Sequence, residues 1–394
     1  MNFKKYMSAA AAALIALSLF AGCSKTGTQD VADNSKAATE KAEVFDSSKA
    51  PKIEIADNSV DFVKNMKLGW NLGNTLDATG SGMASETSWG QPQTTKEMID
   101  FVKDSGFSTI RIPVSWSNHT DKDHNISEEW MNRVNEVVDY AVDNGLYVII
   151  NSHHDNDAYY PTSENYEKAS GYLTAVWKQI AERFKDYDER IVFETMNEPR
   201  LSGTNKEWWF ADNDADGIDS IETIVKLNQD AVDTIRAAGG YNETRYIMVP
   251  SNRADAWTAM HKSFSLPNDP ANRLIVSVHA YSPYDFAMNE SGYSEWDGSK
   301  VGDLNFMDEL DKMYIKNGVG VVIGEFGATN KNNLEDRVRW ADDFTAKASG
   351  LGISCVLWDN GGTNIGAENF GYVDRIGKKL YYPEIIEAMT KNYN

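Results

Sequence analysis

Short apolar runs recur along the chain from Lys67 onward, and most are followed by a longer amphipathic stretch. The runs fall at 67–73, 109–115, 147–154, 191–198, 246–251, 274–281, 320–326 and 354–360, and are rich in Val, Ile, Leu and aromatics. Each is too short for a typical helix and reads as a buried strand. Between most of them the apolar positions switch to helical spacing. Trp130, Val134, Val137, Val138 and Ala141 share one face of 128–144, and 171–184, 221–238, 334–349 and 384–391 repeat the pattern. Asn144-Gly145, Gly239-Gly240 and Asn317-Gly318 fall just before strands, where a helix ends on a left-handed residue. Eight strands alternating with helices predict an α/β protein, a single (β/α)8 TIM barrel. A doubly wound open sheet is the alternative, but no glycine-rich phosphate turn supports it. The fifth and sixth βα units are the least regular. Long strand-to-helix loops at 199–220 and 281–303 fall on the catalytic face of such a barrel. There is no internal repeat and no sign of a second domain.

The first residues follow other rules. Lys4 and Lys5 precede an apolar stretch, Ala9 to Phe20, that is too short to span a bilayer. Leu19-Phe20-Ala21-Gly22-Cys23 resembles a bacterial lipobox. This reading makes 1–22 a signal peptide and Cys23 a lipidated N-terminus; a plain secretory signal is the alternative. Two acyl chains make a stable anchor. Residues 23–60 are rich in Ala, Ser, Thr, Asp, Glu and Lys and cannot bury enough surface to fold. They read as a flexible tether with a reach of ~30–40 Å, leaving 61–394 as the catalytic domain. The expected location is the bacterial cell surface, with membrane contact only through the anchor.

Composition narrows the partners. The chain has 394 residues, 41% of them hydrophobic, which is ample for a core. A formal charge of −21 excludes nucleic acid, whose phosphates would be repelled. It suits a secreted monomer acting on neutral polymers. With Cys23 lipidated, the other cysteine, Cys355, has no partner and reads as a small buried hydrophobe.

The polar residues cluster at the ends of the apolar runs. Arg111 lies inside the second strand. His153 and His154 end the third, Asn197 and Glu198 the fourth, His279 and Tyr281 the sixth, Glu325 the seventh and Trp358 the eighth. Any one alone has a plain structural reading, such as an ion-pair arginine or a packed tryptophan. Their joint placement at strand C-termini, where barrel active sites are built, is hard to explain as packing. Glu198 and Glu325 would converge on one cleft, and glycoside hydrolysis needs such a pair of carboxylates.

Ile110-Arg111-Ile112-Pro113, His153-His154, Asn197-Glu198-Pro199, His279-Ala280-Tyr281, Glu325-Phe326-Gly327 and Trp358 together resemble glycoside hydrolase family 5. Met66 to Asp77 further resembles its endoglucanase and xyloglucanase branch. The resemblance implies a retaining β-glycanase without metal or cofactor, acting on plant cell-wall β-glucans. It implies Glu198 as acid/base and Glu325 as nucleophile, about 5–5.5 Å apart. Arg111 and Tyr281 would hold Glu325, His279 would tune Glu198, and Asn197 would bond the sugar 2-hydroxyl. His153 and His154 would contact sugar hydroxyls, and Trp358 would floor the −1 sugar.

Asn74 and Asp77, at the end of the first strand, are candidates for more distal sugars. Trp209 and Trp257 are candidate cleft platforms, and Trp89, Trp208 and Trp296 also fall in loop-like regions. Asp212, Asp214, Asp216 and Asp219 lack EF-hand spacing and read as a solvated acidic loop rather than a calcium site. Three other functions compete: a β-mannanase of the same fold, a metal-dependent barrel hydrolase and a non-catalytic glycan-binding lipoprotein. The metal reading would use His153, His154 and His279, but the first strand, Gly69-Trp70-Asn71-Leu72, lacks the His-x-His pair of such barrels.

Overall fold

The computed structural model describes residues 50–394; the expected signal segment, Cys23 and most of the expected tether lie outside the described residues. Eight parallel strands pair in chain order and close, β8 back onto β1. They are β1 (Leu68–Asn71), β2 (Thr109–Ile112), β3 (Tyr147–Asn151), β4 (Ile191–Glu194), β5 (Ile247–Asp255), β6 (Leu274–His279), β7 (Gly320–Phe326) and β8 (Ser354–Leu357). Several apolar runs are longer than their strands. Residues such as Ser152 to His154 and Thr195 to Glu198 continue past the ladder and form the rim.

The long helices lie in the expected places: α3 (Glu128–Asp143), α4 (Tyr166–Phe184), α5 (Ala215–Ala237), α9 (Leu334–Gly350) and α10 (Pro383–Thr390). The remaining ones are α1 (Ser59–Met66), α2 (Lys96–Asp104), α6 (Ala256–Ala259), α7 (Tyr284–Ala287) and α8 (Phe306–Met313). The short α6 and α7 are why the fifth and sixth units look irregular in sequence. A small antiparallel hairpin, β9 (Val373–Asp374) with β10 (Lys379–Leu380), precedes α10.

Side-chain alternation sorts the strands into two cores. Val148, Ile150, Ile191 and Phe193 join the layer between sheet and helices. Their neighbours Tyr147, Ile149 and Val192 point into the barrel and pack on Phe62, Val63 and Met66 of α1. Helix α1 therefore plugs the barrel floor. Asn58 caps it by accepting the Asp61 N–H at 2.9 Å.

This corrects the expected tether boundary at residue 60. Ala50 is buried, and Ile53, Ile55 and Ala56 pack against the floor cluster. The Tyr147 hydroxyl donates to the Glu54 carbonyl, and the Tyr246 hydroxyl to the Ala56 carbonyl at 2.7 Å. A polar segment thus docks with few apolar residues, because two tyrosines satisfy its backbone.

Candidate active site

Above the apolar layer the inward positions turn polar. The same alternation that buries Val192 aims Glu194 into the barrel, and it places Arg111, Asn151 and Ser277 beside it. Arg111 is fully buried and satisfied on every side. Its Nε donates to Glu194 at 2.8 Å, and its Nη2 makes an ion pair with the same carboxylate at 2.7 Å. Its Nη1 donates to Asn71 and to Glu325 Oε1 (both 2.9 Å), and Nη2 also donates to Asn197 Oδ1 at 2.6 Å. Ser277 and Asn151 donate to Glu194 at 2.5 and 3.0 Å. A buried guanidinium shared by two carboxylates is tolerable only in such a closed network.

Glu325 reaches the rim through a break in alternation. Val322 faces the barrel interior, so Glu325 would otherwise face the helices. The register passes from Val278↔Ile323 to His279↔Glu325, which makes Gly324 a bulge residue. Gly324 and Glu325 then both face inward. A Cβ on Gly324 would lie 3.2 Å from His279 Nε2, so only glycine fits without displacing that ring.

The two carboxylates have different neighbours. Both oxygens of Glu325 accept hydrogen bonds, one from Arg111 and the other from the Tyr281 hydroxyl at 2.9 Å. Glu198 Oε1 lies 2.8 Å from His279 Nδ1, while its Oε2 is 3.6 Å from Arg200 Nη1. His279 Nδ1 is also 3.6 Å from Glu325 Oε2. An oxygen of Glu198, one of Glu325 and a His279 ring nitrogen all lie within 4.8 Å of one another.

Titration follows this geometry. Burial pulls the His279 imidazole down, but the charge of Glu325 and the hydrogen bond and charge of Glu198 outweigh it and raise its pKa. Burial pushes Glu198 up, yet the His279 hydrogen bond and charge, with Arg200 and His154, leave its carboxyl below the usual range. Glu325 lies above that range. Burial and the Glu198 charge outweigh His279 and Arg111 there. The two carboxylates share His279 and titrate together as one site. Burial and the two carboxylates hold the Tyr281 hydroxyl well above its ordinary value, so it remains a donor.

Trp358 and His153 form a flat aromatic wall at the rim, their ring planes 2° apart and centroids 5.8 Å apart. Gly73 permits this placement: its absent Cβ would sit 3.0 Å from the Trp358 ring and 2.7 Å from the Asp359 carbonyl. Burial holds His153 well below its ordinary pKa and His154 at about 4, so both are neutral donors or acceptors near neutrality. Trp89 lies 5.4 Å from His154, ring to ring.

The structure does not bring the other candidates onto this rim in the expected way. Asp77 is wholly buried and accepts the N–H groups of Asn74 and Thr75 (3.0 and 2.7 Å), with burial raising its pKa to about 6. It shapes the loop after β1, and its Oδ2 lies 3.9 Å from His154 Nε2, behind the rim. Asn74, partly exposed, stands at φ 57° in the same loop. Trp209 (72% exposed) lies in the β4–α5 loop and Trp257 (65%) on the short helix α6, whereas Trp296 is core, its Nε1 donating to Asp343. Asp214 caps α5 and shares Lys206 with Asp216, and Asp219 accepts the Ser163 N–H. Cys355 is buried, and burial pushes its thiol up to about 12.

Two donor trios merit a test for metal: Asp77 with His153 and His154, and Glu198 with His279 and Glu325. Neither fits a cation well. The Asp77 oxygens are engaged by backbone N–H groups, and Arg111 and Tyr281 already donate into Glu325.

Sequence reasoning missed Glu194, Asn71, Asn151, Ser277 and Arg200. A signal for Glu194 existed: a charge directly after the apolar run Ile191-Val192-Phe193 requires a buried partner, and Arg111 is the cation buried on a neighbouring part of the barrel.

Residues 76–364 match the family model described as cellulase, glycosyl hydrolase family 5. A cellulase/esterase, CelE, of Acetivibrio thermocellus is 45% identical over 340 residues, covering 85% of this chain; the chain spans only 40% of that protein's length. Endoglucanase A of Ruminococcus albus is 42% identical over 349 residues, covering 86% of this chain and 94% of the relative. A glycoside hydrolase 5 lichenase from Caldicellulosiruptor sp. F32, solved with cellotetraose, superposes with a TM-score of 0.83 at 44% identity, covering 91% of this chain and all of that one. The family match runs through the barrel that carries both carboxylates, and the chain belongs to glycoside hydrolase family 5.

Proposed function

We propose that the protein is a retaining endo-β-1,4-glucanase acting on cellulose, mixed-linkage β-glucan or xyloglucan, with Glu198 as acid/base and Glu325 as nucleophile. The observation that carries this is the pair of carboxylates whose oxygens approach within 4.8 Å, each with different partners. Oxygens this close favour the carboxyl spacing of about 5–5.5 Å that direct attack needs over the roughly 6.5–9.5 Å of an inverting site. Arg111 and Tyr281 aim the Glu325 carboxylate at the anomeric carbon. Arg111 also fixes Asn197 Oδ1, which leaves the Asn197 amide N–H groups for the sugar 2-hydroxyl.

In the first step Glu325 attacks the anomeric carbon while Glu198 gives its proton to the departing oxygen. This step needs the proton on Glu198 and the charge on Glu325. Glu198 is 17% exposed and becomes covered on glycan binding, which raises its pKa. Once Glu325 is esterified its charge is gone, the pKa of Glu198 falls, and Glu198 becomes the base that activates water.

Glu198→Gln is expected to lower kcat on soluble cellulose derivatives by roughly 10²–10⁴-fold, and Glu325→Gln to abolish turnover. The first product should be the β-anomer, read by proton NMR before mutarotation. An α-anomer, or full activity in Glu325→Gln, would defeat the assignment. Preference for β-mannan over every β-glucan would move the specificity to a mannanase.

We also propose that Cys23 is lipidated and anchors the enzyme at the cell surface, on the strength of the segment ending Leu19-Phe20-Ala21-Gly22-Cys23. Cys23→Ala should shift activity from the membrane fraction to the medium. Unchanged membrane retention would count against the anchor.

A further inference from the structure

A groove of about 760 Å³ lies outside the catalytic rim, lined by Asp212, Asn213, Trp257, Met260, Glu309 and Lys312 among others, and by none of the rim residues. It runs between the loop before α5, the start of α6 and the outer face of α8. We infer that this groove is a second binding site for a neutral β-glucan chain, separate from the catalytic cleft; the inference rests on the glucanase reading above.

The groove is preformed. Asp255 ends β5 in register with His279, and its side chain accepts the N–H groups of Trp257 and Thr258, both at 3.0 Å. This fixes the backbone that carries Trp257. His261 Nδ1 accepts the Ser263 N–H at 3.1 Å, so its Nε2 carries the proton and donates to the Asp212 carbonyl at 3.0 Å. That bond ties the β4–α5 loop to the segment after β5. The Tyr314 hydroxyl, just past α8, donates to the Ala259 carbonyl and closes the other wall.

The lining selects a chemistry. Trp257 is 65% exposed, and Met313 beside it is 46% exposed. An indole face held open to water is a surface for the C–H face of a pyranose, and small-molecule sites of roughly 300–1,000 Å³ combine such apolar faces with a few polar groups. Charges around it cancel: Glu309 pairs with Lys312 at 2.7 Å, and Asp212 is offset by Lys262. In a protein of net charge −21 such a locally balanced groove favours a neutral polyhydroxylated ligand over an ion. Its position agrees. It opens beside the short helix after β5 and the β4–α5 loop, the loop in which Glu198 also lies.

The test uses the inactive Glu325→Gln protein and calorimetric titration with cellohexaose. Two binding events are expected. Adding Trp257→Ala should weaken one of them at least ten-fold and spare the other, whereas adding Trp257→Phe, which keeps a flat ring, should retain both. A single event in Glu325→Gln, or two undiminished events with Trp257→Ala, overturns the inference while leaving the glucanase reading intact. No binding event together with no hydrolysis of any β-glucan by the unaltered enzyme would instead overturn the glucanase reading.

Discussion

Arg200 is the residue whose effect on Glu198 is most open to measurement. It lies 3.6 Å from Glu198 Oε2, donates to the Glu198 carbonyl at 3.1 Å and to Glu207 at 3.0 Å, and stacks over Trp208 at 4.4 Å. Its charge helps to lower the pKa of Glu198. Removing the charge therefore raises that pKa. The acid must be protonated in the free enzyme that kcat/KM reports. Arg200→Met is thus expected to move the basic limb of the kcat/KM profile to higher pH, and Arg200→Lys to move it less. A basic limb that stays in place would show that Arg200 only packs. The sequence displayed Glu198, Glu325, Arg111, His279 and Tyr281 because each is a polar residue in or at the end of an apolar run. Arg200 carried no such signal: it follows the strand on a polar loop, and only folding returns it to Glu198. Asp77 shows the limit of reading position alone. Its position at a strand end resembles that of a ligand-binding residue, but two neighbouring backbone N–H groups engage it first.

At the scale of elements, the long helices and the strands were legible because each repeats its period over enough residues to be read. Three features were not. Helix α1 has eight residues, and a polar segment precedes it; its four buried positions are too few to stand out from a tether. The bulge at Gly324 inverts the parity of the residue that matters most, and no periodicity announces such an inversion. Helix α6 has only four residues, which is less than a helical repeat can show. The floor helix makes a direct prediction. Asn58 accepts the Asp61 N–H, and α1 is the element that closes the barrel interior against water. Asn58→Ala should lower unfolding free energy by about 1 kcal/mol, and Asn58→Gly by only a few tenths. Urea unfolding monitored by tryptophan fluorescence reads both. No loss in either variant would mean that the side-chain cap contributes nothing.

For the molecule as a whole, one barrel carries an apolar plug at its floor, an ionic layer above it and an aromatic rim, and this layering controls its response to acid. Histidines buried in neutral form set part of that response. His119 stacks on Trp130, ring centroids 3.6 Å apart and planes 5° apart, and burial lowers its pKa from 6.5 to about 4. In the unfolded chain His119 takes a proton as pH falls through 6.5, while in the folded protein it does so only near 4. Between these values the unfolded state binds more protons, so stability falls as pH falls. The contribution is fully present above 6.5 and is lost as pH drops toward 4. Asp77 works in the other direction over part of the range. Its folded pKa of about 6 lies above the unfolded value of 3.8, so its share of stability is present at low pH and is lost as pH rises through 6. Comparing variants separates the two. His119→Phe keeps a flat ring against Trp130 but cannot titrate, and Asp77 is the same in both proteins. The stability of His119→Phe relative to the unaltered protein should therefore rise steadily between pH 6.5 and 4, at up to about 1.4 kcal/mol per pH unit. Urea midpoints at four pH values across that window measure the gap. A gap that does not change with pH would mean that His119 is already protonated in the folded barrel, and that Trp130 stacks on a cation.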